Sequence, residues 1–84
     1  MSINIEGRLK TILAMQVGVN ENVVDRTTTI VGDLGCDSLD TVEILMACEE
    51  EFNIAIPDEE GDRVFDDGAA TVGSIADYLN GRCK

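Results

Sequence analysis

Histidine and tryptophan are absent from the sequence, proline and tyrosine occur once each, and phenylalanine twice. The missing histidine excludes much chemistry at once. A catalytic serine or cysteine needs a neighbouring base, and Lys10 without further groups does not supply one. A zinc site lacks its nitrogen ligands, and Cys36, Cys48 and Cys83 form no C-x-x-C pair. Positive charge is also scarce: six Lys and Arg stand against seventeen Asp and Glu, a net −11. Such a chain suits basic protein surfaces and is a poor partner for nucleic acid or anionic membranes. No apolar run approaches the roughly 20 residues that cross a bilayer, and the first residues lack the basic-then-apolar order of a secretory signal. Three cysteines with no even pairing point to thiols in a reducing compartment, so a cytoplasmic location is expected.

No metal site is predicted. An EF-hand fixes Gly at its sixth position; Gly68 there puts Arg63 first, and Gly61 puts Ile56 first, neither a carboxylate. Asp58, Glu59, Glu60 and Asp62, or Asp33 with Asp37, are expected to gather divalent cations only loosely. Ser38 sits outside G-x-S-x-G, because Asp40 holds the second glycine position.

What is present is helical patterning over one domain, 1–84. Ile5, Leu9, Ile12 and Leu13 follow helical spacing, with Ser2 or Asn4 as cap, Val17 extending the stripe and Gly18 as stop. From Gly18 to Asp37 the chain reads as loop, broken by a short turn near Glu21–Val24 and pinned by Val23, Val24, Ile30 and Leu34. Three threonines before Ile30-Val31 suit a short strand, but no second strand is evident to pair with it. After a central helix, Ile54 and Ile56 alternate in an extended segment, and Pro57 opens a short acidic helix that Gly61 limits. Val64 and Phe65 close that helix onto the core, and Asp66 to Ala70 reads as loop. Thr71 then caps a last helix with Val72, Ile75, Ala76 and Leu79 inside and Gly81 at its end. The sum is an all-α fold, a small four-helix bundle with three main helices, one short one and a long first loop.

The central helix, Leu39 to Phe52, contains neither Gly nor Pro, and Asp37 or Ser38 is placed to cap it. At about 100° per residue it carries two apolar strips. Thr41, Ile44, Leu45, Cys48 and Phe52 share one side. Leu39, Val42 and Met46 form a second strip; Asp40, Glu43, Glu50 and Glu51 lie between the two, and Glu49 sits at the edge of the second. One strip packs a core; the second fits either contact from another side or a partner surface headed by Ser38. The first helical N–H groups lack partners and the helix dipole is positive there, which favours an anionic group at Ser38.

The run Asp33-Leu34-Gly35-Cys36-Asp37-Ser38-Leu39-Asp40, followed by Glu49-Glu50-Glu51-Phe52 and Ile56-Pro57-Asp58, resembles the acyl carrier proteins of bacterial type II fatty acid synthesis. The likeness is weak at the start of the chain and strong from Ile30 to Asp58. It implies a carrier without enzymatic activity of its own, bearing 4′-phosphopantetheine on Ser38, with Asp37 helping to hold Mg²⁺ during loading. It makes Leu39, Val42, Glu43, Met46, Glu49 and Glu50 the surface that partner enzymes read, and Ile44, Leu45, Cys48 and Phe52 the lining that shelters an acyl chain. The implied partners are holo-acyl-carrier-protein synthase or another phosphopantetheinyl transferase, and acyl-transfer, fatty acid or polyketide synthesis enzymes with basic docking surfaces. The implied state is a monomer without stable membrane insertion. Two departures keep a specialised carrier for polyketide, lipid A or other dedicated acyl transfer open. The Gly61–Ala70 segment is longer than in the common fatty-acid carriers, and Cys48 stands where the family usually has Leu. An unmodified acidic adaptor for basic proteins is the alternative from a different class.

Overall fold

A cap and a left-handed stop bound the first helix. In the computed structural model, which describes residues 4–65 and 68–82, α1 spans Ile5–Val17. Asn4 Oδ1 accepts the Gly7 N–H, and Gly18 ends the helix at φ 75°. Of the two expected caps, Asn4 is the one seen; Ser2 lies outside the described residues. α1 packs against both α2 (Ser38–Phe52) and α4 (Val72–Arg82), while α3 (Asp58–Val64) leans on α4. Ile5, Leu9 and Leu13 from α1 meet Ile44 and Cys48 from α2 and Val72, Ile75 and Leu79 from α4 in one buried core. Phe65, just after α3, is fully buried in the same cluster, and Val64 packs against it. Among the described residues no helix is long and apolar enough to cross a membrane.

The long first connection is ordered by backbone pairing with the start of α4. Gly73 N–H donates to Arg26 O, Val72 N–H to Thr28 O and Ile30 N–H to Ala70 O, at 2.9–3.2 Å. The threonine run thus forms a single antiparallel bridge, Thr29 to Thr71, rather than a strand. A 3₁₀ turn at Glu21–Val23 breaks the loop as expected. Val24 and Ile30 are buried and Leu34 packs against the core, but Val23 is 62% exposed and pins nothing. Arg26 adds a charged tie, paired with Glu6 of α1 and, at 3.3 Å, with Asp77 of α4. Beside it, hydrogen bonds to Asp25, first from the Thr27 hydroxyl, hold that carboxyl below its ordinary range. A lowered carboxyl adds stability above its ordinary titration range, lost as pH falls through the lowered value.

Pro57 opens α3 as expected, standing as its N-cap at ψ 148° with Asp58, Glu59 and Glu60 in the first turn. Two expectations about local stops need correction. Gly61 does not limit α3, which runs through it to Val64; a Cβ there would overlap Leu45 Cδ1 of α2, so any larger residue requires that flexible side chain to shift. Gly81 does not end α4, which continues to Arg82. Arg82 holds that turn by donating to Ala55 O at 2.6 Å and pairing with Glu60 of α3. Thr71 does start α4, exchanging hydrogen bonds with Ser74 at 3.0 Å in both directions. Asp66, Asp67 and Cys83 lie outside the described residues.

Arg26→Ala should lower the denaturant midpoint only modestly, because its pairs are exposed and screened, and the loss should shrink at high salt. Denaturant midpoints at low and high ionic strength check this. Cys48 is sealed in the core, so Cys48→Leu should overpack it and destabilise by about 1–3 kcal/mol. Equal or higher stability of Cys48→Leu would reveal spare volume beside α2.

Candidate functional site

The approach to α2 is a chain of small reciprocal bonds. Thr29 N–H donates to Asp33 Oδ2 and Asp33 N–H to Thr29 Oγ1, both at 2.9 Å. Gly35 takes φ 71°, a left-handed conformation that favours glycine, and Cys36 N–H returns to Ile30 O at 2.9 Å. Asp37 then caps the helix: its Oδ1 accepts the Asp40 N–H at 3.0 Å, while Asp40 Oδ2 accepts the Asp37 N–H at 3.2 Å. This capping box decides between the two candidate caps. Asp37 does the capping, so Ser38 becomes the first residue of the helix and its hydroxyl is released from that role. Ser38 is exposed, and its carbonyl accepts from the buried Thr41 hydroxyl at 2.8 Å.

Nothing nearby competes with that hydroxyl as a nucleophile. Cys36, two residues before, is buried, and burial, then the charges of Asp40 and Asp37, push its thiol up from its ordinary pKa. A raised thiol stays protonated and unreactive near neutrality. Among the described residues no group of three His, Cys, Asp or Glu is placed to hold a metal ion. Asp33 and Asp37 each have a carboxylate oxygen committed to a backbone N–H.

The second strip of α2 faces outward. Leu39, Val42 and Met46 are 67%, 51% and 57% exposed, with Glu43 and Glu50 exposed beside them. Glu49 differs: it is half-buried, and its Oε2 accepts the Ile56 N–H at 2.8 Å, tying α2 to the segment that leads into α3. Glu51 is drawn away by an ion pair with Arg8 of α1.

A cleft of about 510 Å³ begins at Ser38 and runs between α2 and α3. That volume lies in the usual range for small-ligand sites. Thr41, Val42, Leu45, Met46 and Glu49 line it from α2; Ile56, Asp58, Gly61, Asp62 and Phe65 line it opposite. Of the four residues expected to line an acyl shelter, Leu45 alone borders this cleft. Ile44 and Cys48 are sealed in the core behind it and Phe52 packs against that core. The opposite wall escaped sequence reasoning. Its one local signal was Gly61 in mid-helix, where glycine costs about 1 kcal/mol relative to alanine and so calls for a packing reason.

The residues present fit a prosthetic group attached through a phosphodiester. A serine hydroxyl stands exposed at the positive end of a 15-residue helix, on the rim of the cleft. A family model described as "phosphopantetheine attachment site" matches residues 7–79, a span that takes in α2, α3 and most of α1 and α4. Members of that family bear covalently attached 4′-phosphopantetheine and serve as carriers on which phosphopantetheinyl transferases and acyl-transfer enzymes act, not as enzymes themselves. The chain belongs to this family of phosphopantetheine-bearing acyl and peptidyl carrier proteins.

Proposed function

We propose that this carrier bears its 4′-phosphopantetheine on Ser38 and delivers acyl groups to the enzymes of fatty acid or related lipid biosynthesis, as in the bacterial type II acyl carrier proteins it resembles. The observation that carries the assignment is the capping box: Asp37 and Asp40 satisfy the helix start and leave the Ser38 hydroxyl exposed, at the head of the cleft. When attached, the arm supplies a terminal thiol that holds acyl groups as thioesters. The chain's own part is to present, orient and shelter. A phosphodiester at Ser38 faces the positive end of α2, and Mg²⁺ held with the help of Asp37 during loading would offset the neighbouring carboxylates.

Docking follows from the same helix. Leu39, Val42 and Met46 give an apolar strip, and Glu43 and Glu50 give it a negative rim that steers basic enzyme surfaces toward Ser38. Glu49 adds charge to that rim while bracing the turn before α3. The cleft's apolar wall, with Leu45, Ile56 and Phe65, takes the acyl chain away from water. Buried, reduced Cys36 and Cys48 and the strong negative charge suit a monomer working in the cytoplasm. The longer segment after Gly61 and the cysteine at position 48 support a carrier with dedicated cargo as a second reading.

Incubation with coenzyme A and a phosphopantetheinyl transferase should add one phosphopantetheine to the wild type and none to Ser38→Ala, as read by intact mass. Modification of Ser38→Ala would overturn the assignment, and an unmodified mass for protein made in its own cell would favour an acidic adaptor. Glu43→Lys should slow association with the transferase about tenfold at low salt and flatten the salt dependence. Its stability should stay within about 0.5 kcal/mol of wild type, since Glu43 is exposed. Wild-type association rates in Glu43→Lys at low salt would move the docking face off this part of α2.

A further inference from the structure

Gly61 stands fourth of seven residues in α3, buried against α2. A short helix is poorly served by glycine at its centre, which costs backbone entropy and offers no side chain to pack. The structure supplies the reason. A Cβ built at Gly61 overlaps Leu45 Cδ1, far closer than two carbons approach, and the next neighbour from another residue, Ile56 Cγ2, is at 3.9 Å. One atom therefore fills the notch that the missing side chain leaves, and it is the end of a flexible leucine. Both residues line the cleft that begins at Ser38.

Ile44 and Cys48, on the same helix as Leu45, are fully buried in the core, and close-packed interiors register even one added methylene. A leucine pushed out of the notch moves into the cleft, the open space it already borders. We infer that the Gly61–Leu45 pair sets the length of acyl chain this carrier shelters: the notch at Gly61 withdraws the tip of Leu45 and leaves the cleft its full depth. Gly61 is then a specificity-determining residue that acts through Leu45. This rests on the reading of the cleft as the acyl shelter.

The test loads the holo form of wild type, Gly61→Ala and Leu45→Ala with a series of saturated acyl chains, verified by intact mass. It then measures the gain in Tm over the unacylated holo form of the same protein. In wild type the gain should grow with chain length to a ceiling. In Gly61→Ala the ceiling should come about one or two methylenes earlier, because the displaced methyl occupies about that much of the cleft, while the shortest chains keep their wild-type gain. Adding Leu45→Ala to Gly61→Ala should restore the ceiling, and Leu45→Ala alone should extend it, so the result does not depend on one variant folding. Identical length profiles in wild type, Gly61→Ala and Leu45→Ala overturn the proposal. A wild type whose Tm ignores chain length overturns the shelter reading, and the proposal with it. A chain that gains no mass at Ser38 overturns the carrier assignment before either.

Discussion

Seventeen carboxylates on a domain of this size repel one another, and the placement of the few cations decides where that repulsion is relieved. Arg8 joins α1 to α2 through Glu51, Arg26 joins the long loop to α1 and α4, and Arg82 joins α4 to α3 and to the carbonyl of Ala55. Each is an exposed or half-exposed pair of modest strength, yet each bridges different elements, so the cations work as ties. Among the described residues none forms an ion pair with Asp37, Asp40, Glu43 or Glu50. The negative field is neutralised where the bundle is held together and left standing along the outer face of α2. Stability and recognition thus draw on different parts of the same charge excess.

The start of α2 shows a similar division of labour. A helix beginning needs side-chain acceptors for its first N–H groups, and a serine would ordinarily be drawn into that duty. Asp37 and Asp40 meet the need reciprocally, and the pairing of Asp33 with Thr29 fixes the turn before them. The backbone at Ser38 is consequently set by hydrogen bonds while its side chain stands exposed, the combination the proposed attachment calls for. The buried Thr41, bonded to the Ser38 carbonyl, steadies the same turn from below.

Most of the helices were legible because their signals are local. Asn4 and Gly18 bracket the spacing of Ile5, Leu9 and Leu13, and the two strips of α2 follow from the 3.6-residue period alone. The inner strip is sealed at Ile44 and Cys48, and the outer one, for which the spacing left burial and exposure both open, is exposed at Leu39, Val42 and Met46. What failed was whatever depends on a distant residue. Gly61 reads locally as a breaker, but Leu45, sixteen positions earlier, needs its space. Gly81 reads as a stop, but Arg82 is anchored on Ala55 and Glu60. The lining of the cleft was missed for the same reason: Ile56, Asp58, Asp62 and Phe65 become neighbours of Ser38's helix only once α3 is laid across it.

How α3 is laid there matters for the proposed shelter, which would have to take in a chain and surrender it without unfolding. α3 makes few contacts with the rest of the bundle, and regions of low contact density open locally at less cost than the whole fold. Its outer side is held by Glu60, which accepts from the Tyr78 hydroxyl and pairs with Arg82 of α4. Burial, then the bond to Glu60, pushes the Tyr78 hydroxyl up from its ordinary pKa, so it stays a donor near neutrality. Its inner side rests on the Gly61–Leu45 contact, and its leading turn is tied to Glu49. The polar ties are point attachments around a cleft, but Ile56 and Phe65, at the two ends of α3, belong to the core that α1, α2 and α4 share, and Val64 packs against it. Opening of the cleft between α2 and α3 therefore draws on that core, and access to the cleft is coupled to the stability of the bundle.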